Sequence, residues 1–463
     1  MGPATHTSER LTELFDAGVN VFRMNASHGS WKERMERITR VRQMAEQRGA
    51  HVAILLDLQG PKIRLGNFEN GCCTLEAGSE FTITVDEVLG TSQRATTTYS
   101  AFAQDVKPGD RVLLADGAVV LKAVDAKGND VRTQVVVGGE ISDHKGINLP
   151  GVKLRTPALT RKDLEDLEFG LEARVDFVAL SFVRTGTDVR QLKQILDTRG
   201  YEIPVIAKIE KPEALENIEE ILDETDGIMV ARGDLGVEMS MEKVPFIQKQ
   251  LIARTRSRGK FVITATQMLE SMIDHLHPTR AEVSDIANAI CDGTDSLMLS
   301  AETSVGIDPG RAVRTMAMVA EETEHWSRSN TMPTLPEPNA PTNAEIIADA
   351  AYHAASAAGV TAIGIYTRSG LGARLISHYR PPVPIYAFTP NAESARRMAV
   401  WYGILPILSP SLDTTDQKIA HMEEQLLERK LLAPEDNVVF VAGQPREGRS
   451  GIDLIKLHRL EAR

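Results

Sequence analysis

Three cysteines in 463 residues are too few for a disulfide framework. Cys72 and Cys73 are adjacent, Cys291 stands alone, and none belongs to a C-x-x-C metal pair. This usage predicts reduced thiols and a cytoplasmic protein. No apolar run approaches the roughly 20 residues that a membrane span needs. The opening MGPATHTSER has no apolar signal core. Basic surplus is also lacking: the formal net charge is -12, which argues against nucleic acid as a partner of the whole chain. No G-x-x-x-x-G-K-[ST] occurs, which excludes a P-loop nucleotide site at motif level. No H-E-x-x-H or Cys/His zinc pattern occurs either.

What is present is a rhythm. Short β-rich apolar runs alternate with amphipathic helical stretches: VNVFRMN (19–25), VAILLD (52–57), VDFVALSF (175–182), PVIAKIE (204–210), GIMVARGD (227–234), KFVITATQ (260–267) and SLMLSAE (296–302). Near-continuous apolar strands separated by helices imply a parallel sheet covered on both faces. Seven such strands predict a (β/α)₈ TIM barrel that lacks one strand, with an open doubly wound sheet as the alternative. Each run ends in polar residues: Arg23 and Asn25, Asp57, Ser181, Lys208 and Glu210, Arg232 and Asp234, Thr266, Ser300 and Glu302. In a barrel these ends converge on one mouth, where active sites lie.

The rhythm breaks twice. Residues 61–157 carry period-two, β-branched runs (FTITVDE, RVLLADGAVVLKAVDA, VRTQVVVGGEI) between Gly-rich turns. They predict an all-β lid domain inserted into a barrel made of residues 1–60 and 158–331. MPTLPEPNAPT (332–342) reads as a Pro-rich linker, and the α/β pattern then resumes over 343–463 as a separate C-terminal domain.

The strand-end groups define a chemistry. Glu210 and Asp234 are hard oxygen ligands suited to Mg²⁺. Lys208 lies two residues before Glu210, hence on the same strand face. A cation beside a divalent metal site calls for an anionic substrate that compensates both. Arg23 adds a guanidinium suited to phosphoryl oxygens, and Gly233 permits close approach of an anion to the backbone. The set points to a phosphorylated acid bound with metal, and phosphoryl transfer needs mainly positioning and charge neutralisation. SGLGARL (369–375) is a glycine turn before a helix, readable as an anion site or as an ordinary turn.

MNASHG (24–29), IAKIEKPEALENI (206–218), IMVARGDLGVE (228–238), TATQMLESMI (264–273) and PTRAEVSDIANAICDGTDSLMLSAET (278–303) resemble pyruvate kinase through nearly the whole chain. The resemblance implies a TIM barrel with a β lid and a C-terminal regulatory α/β domain, a homotetramer, allosteric control, and Mg²⁺-dependent phosphoryl transfer from phosphoenolpyruvate to ADP, the last step of glycolysis. It implies that Lys208 stabilises the transferring phosphoryl group and the enolate. Glu210 and Asp234 would hold Mg²⁺, while Gly233, Asp234 and Thr266 would bind the substrate carboxylate. Arg23 would clamp the phosphoryl group, and Thr266 and Ser300 would deliver a proton to the enolate carbon. Arg64 and Lys145 would contact nucleotide phosphates with Asn25 and His28 nearby, and Asp116 would close over the mouth. Thr367, Arg368, Ser369 and Gly370 would form an effector's phosphate loop, faced by GQPREGRSG (443–451).

The stretch Asp57-Leu58-Gln59-Gly60-Pro61-Lys62 departs from the common Asp-Thr-Lys-Gly-Pro-Glu of K⁺-requiring members, which bind K⁺ at positions matching Asn25, Ser27 and Asp57. It resembles the branch that works without K⁺. One unit charge at ~4 Å and an effective dielectric of ~20 acts with about 4 kcal/mol, so the Lys62 ammonium can substitute for the ion. The family also begins with a strand ahead of Gly-Pro-Ala, whereas this sequence opens at Met1-Gly2-Pro3-Ala4. Either an upstream start or a lost first strand would account for the count of seven. Two other readings remain open from sequence: a Mg²⁺-dependent aldolase or lyase acting on a pyruvate enolate, and a non-catalytic relative.

Overall fold

The seven apolar runs form one parallel sheet in sequential order. Its strands are β1 (Val21–Asn25), β2 (Ala53–Asp57), β3 (Phe177–Leu180), β4 (Val205–Ile209), β5 (Gly227–Ala231), β6 (Phe261–Ala265) and β7 (Ser296–Met298). The structure is a computed structural model that describes residues 1–328, 341–357, 359–443 and 451–461. Alternation hides inside the apolar runs. Ala53, Leu55, Phe177, Ala179, Ile206, Met229 and Ile263 fill the interior of the curled sheet. Their neighbours Ile54, Leu56, Val178, Val205, Ile228 and Val262 pack outward against the helices. Both faces are dry, so period-two polarity never appears in the sequence.

Among the described residues β1 and β7 are the two ends of this sheet, as the count of seven predicted. The Met1 amino group donates to the Arg23 carbonyl at 3.0 Å, on the open edge of β1. The helices between strands start where capping chemistry puts them. Thr160 accepts from the Asp163 N–H while the Asp163 side chain returns to the cap, opening Arg161–Glu172. The same box, Thr279 with Glu282, opens Arg280–Asp292, which ends at Gly293 with φ 100°.

Between β2 and Arg161–Glu172 lie a six-stranded sheet and a two-stranded one around Phe81, Ile83, Val112, Leu114, Leu121 and Val131. This β unit leaves the barrel through Gly60, where a φ of 68° favours glycine and an added Cβ would fall 2.8 Å from the Phe182 ring. It is tied back over the mouth. Arg184 donates to the carbonyls of Leu154 (2.6 Å) and Thr156 (2.8 Å), and the Asn148 amide donates to Glu238 (3.2 Å).

The C-terminal sheet runs Ile404–Leu408, Ile385–Thr389, Val360–Tyr366, Asn437–Ala442, Leu454–Arg459, parallel except for the last pair. Ile404–Leu408 was not expected from the sequence. Its Pro406 speaks against a central strand, but an edge tolerates the missing N–H. The expected linker over 332–342 lies almost wholly outside the described residues. This domain docks on the N-terminal ends of the barrel strands. Val400 joins the barrel's inner core, Trp401 meets Phe261 edge-on at 5.2 Å, and Ser296 donates to the Val400 carbonyl at 2.7 Å.

Candidate active site

Strand β2 ends at Asp57, which is 1% exposed, and β1 ends beside it, the two strands pairing Arg23 with Leu55 and Asn25 with Asp57. Arg23 grips one Asp57 oxygen through Nε at 2.6 Å and Nη2 at 2.5 Å. The other oxygen faces Lys208 Nζ at 3.3 Å. Lys208, near the end of β4, also reaches Glu210 at 2.8 Å and donates to the Ser181 hydroxyl at 2.8 Å. Ser181 in turn donates to the Leu58 carbonyl at 2.7 Å. The second Glu210 oxygen accepts the Phe182 N–H at 2.9 Å. Three strand ends, those of β2, β3 and β4, therefore meet on one ammonium, and β1 joins them through Arg23 on Asp57.

The electrostatics follow. Burial alone would pull the Lys208 ammonium down, but Asp57 and Glu210 outweigh it and hold the group charged above the usual lysine range. Burial would likewise push Asp57 up, and Lys208 with Arg23 hold it below the usual carboxylate range. Asp234 behaves oppositely. Burial, then Glu210, push its carboxyl up to about 6. Lys208 and Lys62 act against this rise without cancelling it.

A second wall faces this cluster. The Gly233 N–H donates to Thr266 Oγ1 at 2.8 Å, and that hydroxyl donates to the Ala265 carbonyl at 2.6 Å. Thr266 and Gln267 sit in the left-handed region, at φ 68° and 55°. Ser300 follows β7, and its N–H donates to Glu302 at 2.7 Å. Glu302 also takes the Leu269 N–H at 3.1 Å.

The lid supplies the third side. A cleft between lid and barrel is lined by Lys62, Asp116, Asn148, Arg184, Lys211 and Asp234 among others. Asp116 rides on a left-handed turn (φ 55°) and helps to raise Asp234, while Lys62 acts to lower it. Lys62 is exposed. A side chain added at Gly146 would meet Lys62 and Asp116 together, each at 3.8 Å. Asn25 Oδ1 accepts the Ser27 N–H at 3.0 Å. The His28 imidazole is pushed below its ordinary value by burial and then by Arg64, Lys62 and Arg23, so these cations surround it. Arg64 donates to the His144 carbonyl at 2.9 Å, next to the exposed Lys145.

Thr367, Arg368, Ser369 and Gly370 are not part of this mouth. They form the turn that opens the helix Leu371–His378 in the C-terminal domain, where Thr367 Oγ1 accepts the Gly370 N–H at 3.1 Å. The segment expected to face them is outside the described residues over 444–450. Sequence reasoning missed Lys418, 3% exposed, whose ammonium donates to the Gly443 carbonyl at 2.9 Å and is lowered by burial and then by Arg368. It also gave no role to Ser181 or Arg232, although both had been noted as polar strand ends.

Comparison with known proteins agrees with this geometry. The model of the pyruvate kinase barrel domain matches residues 1–313, and that of the pyruvate kinase alpha/beta domain matches residues 345–458. Pyruvate kinase of Corynebacterium glutamicum is 42% identical over 460 residues, covering 99% of this chain and 96% of that one. Pyruvate kinase of Mycobacterium tuberculosis is 43% identical over 461 residues, covering 99% and 97%. A crystal structure of a pyruvate kinase from Cryptosporidium parvum superposes with a TM-score of 0.90 at 36% identity, covering 99% of this chain and 94% of that one. Two family models in tandem and full-length relatives at this identity show that the chain belongs to the pyruvate kinase family.

Proposed function

We propose that this phosphotransferase moves the phosphoryl group of phosphoenolpyruvate to ADP, with Mg²⁺ and without a requirement for K⁺, as the last step of glycolysis. The observation that carries the reading is the Lys208 ammonium, kept charged by Asp57 and Glu210 where the ends of β2, β3 and β4 converge.

The donor set fits Mg²⁺. Among the described residues no three His, Cys, Asp or Glu side chains come together as a complete metal cage. Glu210 and Asp234 offer two hard oxygens with surplus negative charge, which suits an ion that keeps waters and takes substrate oxygens. Mg²⁺ held there would neutralise charge on the substrate's carboxylate and phosphoryl oxygens.

The chain's own groups account for the rest. Arg23 can exchange its grip on Asp57 for phosphoryl oxygens. Lys208 faces the bridging and enolate oxygens. The P–O bond of phosphoenolpyruvate breaks, a bond forms to the terminal ADP oxygen, and the enolate carbon takes a proton from the side lined by Thr266 and Ser300. Arg64, Lys145, Asn25 and His28 border the nucleotide, and Asp116 closes the lid against water. Lys62 adds a positive charge at the cleft in place of K⁺ at Asn25, Ser27 and Asp57. Thr367 to Gly370 form an effector loop. The protein works as a cytoplasmic homotetramer in this reading, and the exposed apolar Met241 (71%) and Phe246 (67%) are groups that a neighbouring subunit would cover. No described helix is long and apolar enough to cross a membrane.

The test is pyruvate formation from phosphoenolpyruvate and ADP, coupled to lactate dehydrogenase. Turnover with Mg²⁺, abolished by chelation and equal with and without K⁺, is expected. Strong K⁺ activation of the wild type would remove the Lys62 reading, as would Lys62→Glu failing to acquire K⁺ dependence. Absence of turnover in folded protein would remove the reaction.

A further inference from the structure

Strand β6 ends in a conformation that its sequence does not favour. Thr266 is β-branched, yet it takes φ 68°, and Gln267 follows at 55°. Two consecutive left-handed residues without glycine cost roughly 1–2 kcal/mol each, and such strain persists only where neighbours over-determine it. The neighbour here is Arg232, whose guanidinium donates to the Thr266 carbonyl at 2.8 Å and to the Gln267 carbonyl at 3.3 Å. Its other nitrogen is fixed by Asp285 at 2.7 Å and reaches Gln248 at 3.4 Å. The side chain is 9% exposed.

The connection back to the site is short. Arg232 follows β5 directly, Gly233 is next and donates to Thr266 Oγ1, and Asp234 comes after it. Residues 232 and 233 therefore hold the 266–267 turn at three points, two carbonyls and one hydroxyl. The same three-residue segment ends in Asp234, the carboxylate that faces Glu210. Thr266 and Asp234 can move relative to each other only if this clamp opens.

We propose that Arg232, braced by Asp285, is a positioning residue that keeps Thr266 in register with Asp234, and that it governs the chemical step rather than nucleotide binding. The inference rests on the phosphoenolpyruvate–ADP reading, in which Thr266 lies against the substrate. A purely structural Arg232 would tie the helix Arg280–Asp292 to β5, and its loss would lower stability without separating kcat from KM.

Lysine cannot reproduce the fork that bonds two carbonyls and a carboxylate at once. In the full chain, Arg232→Lys is expected to lower kcat about 100-fold, the effect of an ångström-scale misplacement. The KM for ADP should stay within about threefold, because no group bordering the nucleotide is touched. Exchange of the pyruvate methyl protons with D₂O, followed by proton NMR with Mg²⁺ and ATP, should fall in parallel with kcat. Asp285→Asn lies on an outer helix, leaves the carbonyl bonds in place, and should lower kcat about tenfold, the worth of one charge-assisted hydrogen bond. The inference is overturned if folded Arg232→Lys keeps kcat within threefold of wild type. It is equally overturned if both variants raise the KM for ADP at unchanged kcat, or lose activity only in proportion to unfolded protein. A wild type without turnover would overturn the pyruvate kinase reaction, and this inference with it.

Discussion

At the barrel floor Asp176 accepts the Ile54 N–H, Arg42 and Arg396, each at 2.7 Å. At the mouth Asp57 is as deeply buried, yet its oxygens go to Arg23 and Lys208 alone among charged partners. The floor repeats its pattern. Asp295 accepts the Val262 N–H at 2.9 Å and Arg380 at 3.0 Å, and Asp226 accepts the Val205 N–H at 2.8 Å. Each of these acids stands one residue before a strand, β3, β5 or β7, and caps the N–H of the first or second residue of the strand before it. Each floor carboxylate is thus tied to backbone; Asp176 and Asp295 also hold arginines of the docked domain, Arg396 and Arg380, and Asp226 holds Lys193 of the barrel. Asp57 at the mouth is tied instead to side chains that can turn to a ligand. The similar burial of Asp176 and Asp57 serves assembly at one end and exchange at the other.

The sharpest way to break this contrast is to neutralise one acid at the mouth. Asp234→Asn should lower kcat about 10³-fold, comparable to removing a transition-state donor. Because Asp234 is pushed up to about 6, its charge opposes folding at pH 7.5. The variant should therefore melt higher than wild type without Mg²⁺, in scanning calorimetry. A variant that melts lower would mean that the mouth is built like the floor.

Arg380→Met makes the converse test. It strands Asp295, 5% exposed, without its guanidinium. Breaking a buried pair costs about 3 kcal/mol, read by urea unfolding, while kcat stays within about threefold. Loss of turnover at unchanged stability would erase the distinction between the two ends.

The smallest effect concerns His378, also at the floor. Burial, then Arg256, Arg380 and Arg374, lower its imidazole to about 4, against the opposing pull of Glu345. The unfolded chain takes up this proton near pH 6.5 and the folded one only near 4. The contribution is therefore complete above pH 6.5 and is lost as the pH falls towards 4. Wild type should lose about 2 kcal/mol more than His378→Gln between pH 7.5 and 5. Parallel losses in the two proteins would show that His378 titrates normally.

The two ends also differed in how far the sequence revealed them. Lys208, Glu210, Asp234 and Arg23 were legible because polar residues closing apolar strands have no packing reason to recur. The floor acids were equally regular, in VDFV, TDGI and TDSL, but an acid ahead of a strand is indistinguishable from a loop residue until its N–H partner on the neighbouring strand is known. Arg232 was visible as a strand end, whereas its work depends on the backbone angles of Thr266 and Gln267, which sequence does not show. Pro406 hid an edge strand. The inserted β unit shows in the sequence as a change of period, whereas its contacts with the barrel, such as Asn148 with Glu238, are single pairs that no pattern announces.

The central claim is that a lysine held charged by two buried carboxylates carries phosphoryl transfer. Coupled pyruvate formation by Lys208→Met, with folding confirmed by circular dichroism, tests it most directly. The account predicts a fall in kcat of about 10³-fold relative to wild type at saturating phosphoenolpyruvate and ADP. A folded variant that keeps kcat within tenfold of wild type would contradict it.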